Sequence, residues 1–407
     1  MISVNNALKI ILDTTQTKEI SETVDIINAT GRILFKNILS EINIPQKNNS
    51  AMDGYAVIYS DTAKASHKNP VALSIISEVQ AGANYSGGAI KPGNAIKIMT
   101  GAPIPDGADA VVPFEDTEEH QGSVKIFKSF EKHKNIRFAG EDIKKGDLVV
   151  KKGTRIDSAE AGLIASLNID KVEVYKKPEV AIIATGDEII ELGSINKTGQ
   201  IVNSNAYTLY SEIIKYGGNP VYLGIVKDNI AETTDKIKEA MKYDIIITSG
   251  GVSMGKYDFV PDVLKSLGVE IKIEKILMRP GKPVVFGNIG SKLFFGLPGN
   301  PVSVMVSFMQ FVRPALLKMS GAYKLKKPVI GAKLLEEIKD KSGRKHFMRG
   351  IYSIINNEFH VKTTGDQGSG ILTSMSEANC LIILPENIEN VLPGEIVEIQ
   401  LIDHGEI

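Results

Sequence analysis

Residues 243–261 read Tyr-Asp-Ile-Ile-Ile-Thr-Ser-Gly-Gly-Val-Ser-Met-Gly-Lys-Tyr-Asp-Phe-Val-Pro, a buried-strand pattern that runs straight into a glycine-rich loop ending in an acid. Gly250, Gly251 and Gly255 let successive backbone N–H groups turn inward on an anion, while Ser249 and Ser253 add hydroxyl donors. Asp258 supplies a hard oxygen ligand of the kind magnesium takes. The loop therefore reads as a phosphate cradle. It is not a nucleotide P-loop: Gly250, Gly255 and Lys256 satisfy the glycine–lysine spacing, but Tyr257 stands where a short hydroxyl must reach the metal. The bland alternative for the loop alone is a structural glycine turn.

Outward from that loop, residues 177–324 alternate apolar strands (180–184, 221–226, 245–248 and 294–297) with helical stretches. This is the pattern of a parallel sheet with crossover helices, in which a ligand sits beyond the strand ends. The first strand ends in Thr185-Gly186-Asp187-Glu188, the second near Asp228, and the third leads to Asp258. One loop acid is most often a cap or a solvated charge, but four at successive strand ends suit a magnesium site. Opposing them, Lys275, Arg279 and Lys282 surround a proline-stiffened turn, an arrangement suited to an oxyanion, although charge alone also describes a solvated loop. At 297–303 (Leu-Pro-Gly-Asn-Pro-Val-Ser), Asn300 can cap and Pro301 suits a first helical position, so the free N–H groups offer a further anion site or simply begin an ordinary capped helix. Pro314 should interrupt that helix, and Met305, Phe308, Phe311 and Val312 read as core.

The chain has 407 residues, room for two to four domains at about the usual domain size. A net charge of −1 provides no field for nucleic acid or anionic lipid. The single cysteine, Cys380, cannot form an intrachain disulfide and fits a reducing cytoplasm. No signal peptide or membrane span is expected, because the apolar run at 294–312 is broken by Pro298, Gly299, Asn300 and Pro301. Six scattered histidines lack ligand spacing, which argues against zinc or iron and makes any metal oxygen-bound. Residues 3–40 carry helical patterning, with Val4, Ala7, Leu8 and Ile11 on one face and a second helix-like run from Ser21 to Gly31. Residues 46–142 read as a small all-β domain. Beyond a lysine-rich connector at 324–328, short alternating strands suggest a β-barrel or small sandwich.

Many segments in one order resemble the molybdopterin molybdenumtransferases, the MoeA and gephyrin E-domain family: ATGR at 29–32, NSAMDGYA at 49–56, MTGAPIPDGADAVV at 99–112 and GED at 140–142. They continue with TGDE at 185–188, GQIVNSN at 199–205, the glycine loop, MRPGKPVVFG at 278–287, LPGNPVS, Phe347-Met348-Arg349-Gly350 and Gln367-Gly368-Ser369-Gly370. The resemblance implies an elongated homodimer of multidomain α/β plus β subunits with an active site shared between subunits. It divides the chain into a discontinuous mixed N-terminal domain (21–45 and 143–176), an inserted β-rich domain (46–142), an α/β molybdopterin-binding domain resembling molybdopterin adenylyltransferase (1–20 and 177–324) and a C-terminal β-barrel (325–407).

In that family adenylylated molybdopterin and molybdate are the substrates, magnesium assists cleavage of the pyrophosphate bond, and AMP leaves as molybdenum cofactor forms. By resemblance, the 249–255 loop cradles substrate phosphates, and Asp187, Glu188, Asp228 and Asp258 bind magnesium or position water. Lys275, Arg279 and Lys282 balance charge, and molybdate is held by Arg279, Lys282, Ser303, Arg349 and Ser369. Asp53, Thr100, Arg137 and Asp142 complete the site from the partner subunit. An adenylyltransferase acts upstream, and molybdoenzymes or their chaperones receive the product. Two departures stand out: Lys47 and Asn48 replace an aromatic and a carboxylate near the Asp53 loop, and Arg279 falls where some members carry lysine. Competing readings are a molybdopterin adenylyltransferase, which the extra domains argue against; a dimeric scaffold, which lacks its usual linker here; and insertion of tungstate, an oxyanion of nearly the same size.

Overall fold

The computed structural model describes residues 1–402 apart from 84, 196 and 253–258. The chain forms two compact units: Met1–Phe35, Gly153–Asp157 and Lys171–Ile407 make the first, and Lys36–Lys152 with Ser158–Asp170 the second.

The first unit is centred on a six-stranded sheet of β1 (Glu179–Thr185), β2 (Asn219–Val226), β3 (Ile245–Ser249), β4 (Glu270–Ile273), β5 (Val285–Ile289) and β6 (Lys292–Leu297), in the order β2-β1-β3-β6-β5-β4. The pairs β1/β2, β1/β3 and β3/β6 are parallel, whereas β5 and β4 add an antiparallel edge. Their apolar runs are continuous because both faces are covered. Val180, Ile182, Ile245, Ile247 and Phe295 enter one core, while Ala181, Ile183, Ile246 and Phe294 enter the other, the period-two alternation of a pleated strand. Burying each such aliphatic or aromatic side chain contributes about 1.5–3 kcal/mol, so this sheet is the rigid platform of the unit.

Helix α1 (Val4–Thr14) buries Val4, Ala7 and Ile11 in the first of these cores with Leu8 packed beside them, the face its periodicity indicates, and Ser3 Oγ accepts from the Asn6 N–H (3.3 Å) at its start. The run from Ser21 is not helical. Ser21–Asp25 is a strand paired antiparallel with Lys171–Tyr175, followed by a short 3-10 turn at Ile26–Asn28. A partner that arrives from far along the chain overrides local helical patterning.

Helix Pro301–Met319 is long and apolar enough to cross a membrane by length and composition, but 78% of it is buried in the fold, as befits a core helix. Phe308, Phe311 and Val312 are fully buried and Met305 packs against the same core. The interruption expected at Pro314 appears as a π-helical turn, Phe308–Val312, immediately before it, since proline has no N–H to continue the regular ladder.

Beyond residue 325 the alternatives resolve to a closed barrel. Lys345–Ile355, Glu358–Thr363, Val329–Leu334, Ile396–Leu401 and Cys380–Leu384 pair in sequence, and Cys380–Leu384 returns to Lys345–Ile355. Met348 and Ile382 fill the barrel, while their neighbours Phe347, Leu381 and Ile383 belong to the α/β core. The two domains of this unit are thus welded through alternate residues of shared strands.

The second unit holds a six-stranded sheet in the order Ala110–Pro113, Gly54–Val57, Asn94–Ile98, Val71–Val79, Ser123–Ile126 and Thr117–His120, all of it within the β-rich stretch 46–142. The segments expected to form one mixed N-terminal domain are divided between the two units.

Candidate active site

A cleft of about 370 Å³ opens at the C-terminal ends of the parallel strands. It is lined by Thr185, Gly186 and Glu188 after β1, Asp228 after β2, Ser249, Gly250 and Gly251 after β3, and Gly299, Asn300 and Pro301 after β6. That is where a parallel sheet leaves room for a ligand. Gly250 and Gly251 both have positive φ (97° and 67°). A Cβ on Gly250 would lie 2.6 Å from the Thr185 carbonyl oxygen, and one on Gly251 2.8 Å from Thr185 Oγ1. Only glycine permits this backbone and this approach.

The loop departs from a simple row of inward N–H groups, because Gly250 N–H already donates to the Leu297 carbonyl (3.0 Å). Asn205 was not singled out from sequence, although it ends the GQIVNSN segment. Its Nδ2 donates to Ser249 Oγ (2.9 Å) and to the Gly299 carbonyl (2.7 Å), tying two rim loops together. Asn203, two residues earlier, caps helix α2 (Ser204–Lys215) through Ala206 N–H and so sets the direction from which Asn205 reaches. Asn205 Oδ1 and Thr185 Oγ1 are buried without a hydrogen-bond partner among the described residues. Orphaned polar atoms on a cleft wall are suited to a polar ligand.

Of the four acids expected on this rim, Glu188 and Asp228 line the cleft. Asp187 Oδ1 instead accepts from the Asp228 N–H (3.2 Å). Asp258, with Ser253 and Gly255, lies outside the described residues. Among the described residues no three His, Cys, Asp or Glu side chains group as a metal site. The two carboxylates present still fit magnesium, a cation that takes one or two protein carboxylates together with water and substrate oxygens.

A second cleft of about 310 Å³ shares Gly299 and Asn300 with the first. Arg279, Lys282, Arg344, Ser303 and Ser369 line it. Arg279 is placed by the short parallel pairing of Met278–Arg279 with Lys345 and His346. The turn then closes through Ile276 N–H on the Lys282 carbonyl (3.0 Å), and Gly281 (φ 97°) leaves no room for a Cβ, which would meet Ser307 Oγ at 2.7 Å. Ser369 is drawn to the start of helix Pro301–Ser307 by Val302 N–H donating to its carbonyl (3.1 Å). Asn300 occupies the cap position without a side-chain capping bond, so its side chain is not used as the sequence suggested.

Two predicted cations stand elsewhere. Lys275 lines a separate groove with Met1, Ile2 and Ile273. Arg349 is fully buried behind the second cleft, where Nε donates to Ser374 Oγ (2.9 Å) and Nη2 to the Gly368 and Asp366 carbonyls (2.9 and 3.3 Å). Burial lowers its pKa to about 10, which leaves it charged at neutral pH. Nη1 has no hydrogen-bond partner among the described residues. Arg344, by contrast, was missed. It carries no motif signal and reaches the cleft because it immediately precedes the strand Lys345–Ile355, which pairs beside Arg279.

In the second unit, Asp53 Oδ1 accepts from Thr100 N–H (2.6 Å) and Thr100 Oγ1 (2.8 Å), and these two bonds lower its pKa. The pair is exposed. Arg137 lies on the two-residue strand Ile136–Arg137 opposite Asn49, and Asp142 N–H donates to the Ile44 carbonyl (3.1 Å). Asn48 Oδ1 accepts from Ala139 N–H (2.8 Å), so the missing carboxylate at this position is replaced by a neutral acceptor.

Family models for the MoeA N-terminal region (domain I and II), a probable molybdopterin binding domain and the MoeA C-terminal region (domain IV) match residues 2–168, 181–318 and 331–402. The chain belongs to the molybdopterin molybdenumtransferase (MoeA) family. It is thereby a transferase of molybdenum cofactor biosynthesis. The molybdopterin molybdenumtransferase of Haemophilus influenzae is 37% identical over 392 residues, covering 94% of each chain. That of Nostoc sp. is 37% identical over 381 residues, covering 92% of this chain and 86% of its own. The crystal structure of the molybdopterin biosynthesis moeA protein from Pyrococcus horikoshii OT3 superposes with a TM-score of 0.86 at 33% identity, over 99% of this chain and 100% of that one. Because the MoeA matches extend on both sides of the molybdopterin-binding domain, the lone-domain adenylyltransferase reading is set aside.

Proposed function

We propose that this MoeA-family chain inserts molybdate into adenylylated molybdopterin with release of AMP, the two clefts holding the two anionic substrates side by side. The observation that carries the reading is their shared wall: Gly299 and Asn300 line both the acid-rimmed cleft at the strand ends and the cation-lined cleft beside it. In the first, Ser249, Gly251 and Thr185 Oγ1 bind substrate phosphates, the role also assigned to Gly250, Ser253 and Gly255. Glu188 and Asp228, with Asp187 and Asp258, orient water for P–O cleavage. These acids would hold magnesium, which when bound neutralises charge building on the phosphate oxygens.

In the second cleft, Arg279, Lys282 and Arg344 face a tetrahedral dianion with Ser303 and Ser369 as short hydroxyl donors, and Arg349 could reach it only through Nη1. Bringing two anions together costs Coulomb energy unless cations and donors are already in place, and here Arg279 sits on its short paired strand, Lys282 in the closed turn and Ser303 in the first turn of its helix before substrate arrives. Both dithiolene sulfurs then bond to molybdenum as one oxide leaves as water with the two thiol protons, and hydrolysis of the adenylyl bond makes release irreversible. The same proposal includes a homodimer in which Asp53, Thr100, Arg137 and Asp142 complete the site from the partner subunit, cytoplasmic residence, and transfer of product to molybdoenzymes or their chaperones.

Purified protein mixed with adenylylated molybdopterin, magnesium and molybdate should release AMP and reconstitute a cofactor-free molybdoenzyme, both only when molybdate is present. Tight substrate binding with neither product would replace this reading by a binding or scaffold role.

A further inference from the structure

We propose that Asp340 is a positioning residue that aims the Arg279 guanidinium into the oxyanion cleft, acting through Arg279 rather than touching substrate; this rests on the two-cleft reading above. Arg279 Nη1 lies 3.2 Å from Asp340 Oδ1, and the two side chains differ sharply in exposure, 45% against 4%. The arginine therefore reaches outward from a buried anchor.

That anchor is fully specified. Asp340 Oδ1 also accepts from Ser342 N–H (3.1 Å), and Oδ2 accepts from Ser342 Oγ (3.0 Å) and from His346 Nδ1 (2.9 Å). His346 is itself buried, and desolvation lowers its pKa to about 4 despite the neighbouring carboxylate, so at neutral pH it is a neutral imidazole whose Nδ1–H points at Asp340. Main-chain pairing enforces the same alignment, since Arg279 and His346 are register partners in the parallel bridge between Met278–Arg279 and Lys345–Ile355.

A carboxylate beside an oxyanion site lowers its attraction for a dianion, which counts against a purely electrostatic role. What Asp340 supplies is orientation. A long arginine side chain loses much rotamer freedom when it is held in one orientation, and a fixed partner on one edge of the guanidinium leaves the other edge presented in a defined direction. Asp340 is not among the cleft-lining residues, which distinguishes it from Arg279, Lys282 and Arg344.

The test is a double-mutant cycle read as half-saturating molybdate for AMP release at saturating adenylylated molybdopterin. Asp340→Asn, nearly isosteric, should raise half-saturating molybdate about tenfold while the KM for adenylylated molybdopterin stays at the wild-type value. Combined with Arg279→Ala, it should add no further loss beyond Arg279→Ala alone. Ser342→Ala loosens the same carboxylate from a less buried position and should shift half-saturation in the same direction, keeping the question open to test if Asp340→Asn folds poorly. Unchanged half-saturation in both variants, or losses that multiply in the double variant, overturns the positioning role. A wild-type enzyme that releases no AMP would instead strike at the two-cleft reading itself.

Discussion

At the scale of single residues, the rim of the cleft depends on positions where a side chain is forbidden. Gly250 combines a φ of 97° with a backbone oxygen 2.6 Å from where a Cβ would sit, and a backbone carbonyl in the middle of β1's end cannot move aside as a flexible side chain could. Gly250→Ala should therefore cost about 2 kcal/mol in unfolding free energy and raise the KM for adenylylated molybdopterin. Urea denaturation and steady-state kinetics would check this; an unchanged midpoint together with an unchanged KM would mean that the loop does not depend on this close approach. Asn205 makes the complementary point, because its two short bonds connect loops that are far apart in sequence. The NSN segment was legible as a motif, but nothing in its composition says that one asparagine caps a helix and the other braces Ser249 and Gly299.

At the scale of elements, strand Lys345–Ile355 carries three kinds of information in neighbouring residues. Phe347 faces the α/β core, Met348 the barrel interior, and Arg349 holds the loop that presents Gly368 and Ser369. His346 adds a pH response. Its folded pKa, about 4, lies below the ordinary 6.5, so between these values the unfolded chain binds a proton that the folded chain excludes. The stability it contributes is complete above pH 6.5 and is lost as pH falls toward 4; at pH 5 the loss amounts to about 2 kcal/mol. Asp340, whose carboxyl burial pushes up but whose His346 and Ser342 contacts hold below the usual range, loses its own contribution only at still lower pH. Denaturant unfolding at pH 7 and pH 5 should show this fall, and His346→Gln should flatten it. A slope unchanged by that substitution would assign the acid sensitivity to other groups.

At the scale of the whole molecule, the proposed homodimer makes a prediction independent of any single contact. If the partner subunit completes each site, Asp53→Ala and Asp228→Ala variants should each be inactive alone, yet recover roughly a quarter of wild-type AMP release when mixed and allowed to exchange subunits, since half the dimers would be mixed and carry one intact site. Sedimentation would confirm that exchange occurred. Exchange without recovered activity would place both residues in the same subunit's site or remove one of them from the reaction.

Local patterning alone determined the parallel sheet, because strands buried on both faces must be apolar without alternation, and it pointed to the strand ends, where the structure has a cleft, because ligands bind where such strands end. Ordered motifs in the sequence carried the family. Only the tertiary structure decided which cations converge. Lys275, Arg279 and Lys282 are neighbours in the chain, but strand pairing sends Arg279 and Lys282 to the cleft and Lys275 to another groove, and it brings Arg344 in from a different domain. The same holds for Ser21–Asp25, whose strand is made by a partner about 150 residues away, and for Arg349, whose burial behind the cleft follows from barrel closure. Periodicity reports which face of an element is buried; it is silent on what a distant segment will place against that face.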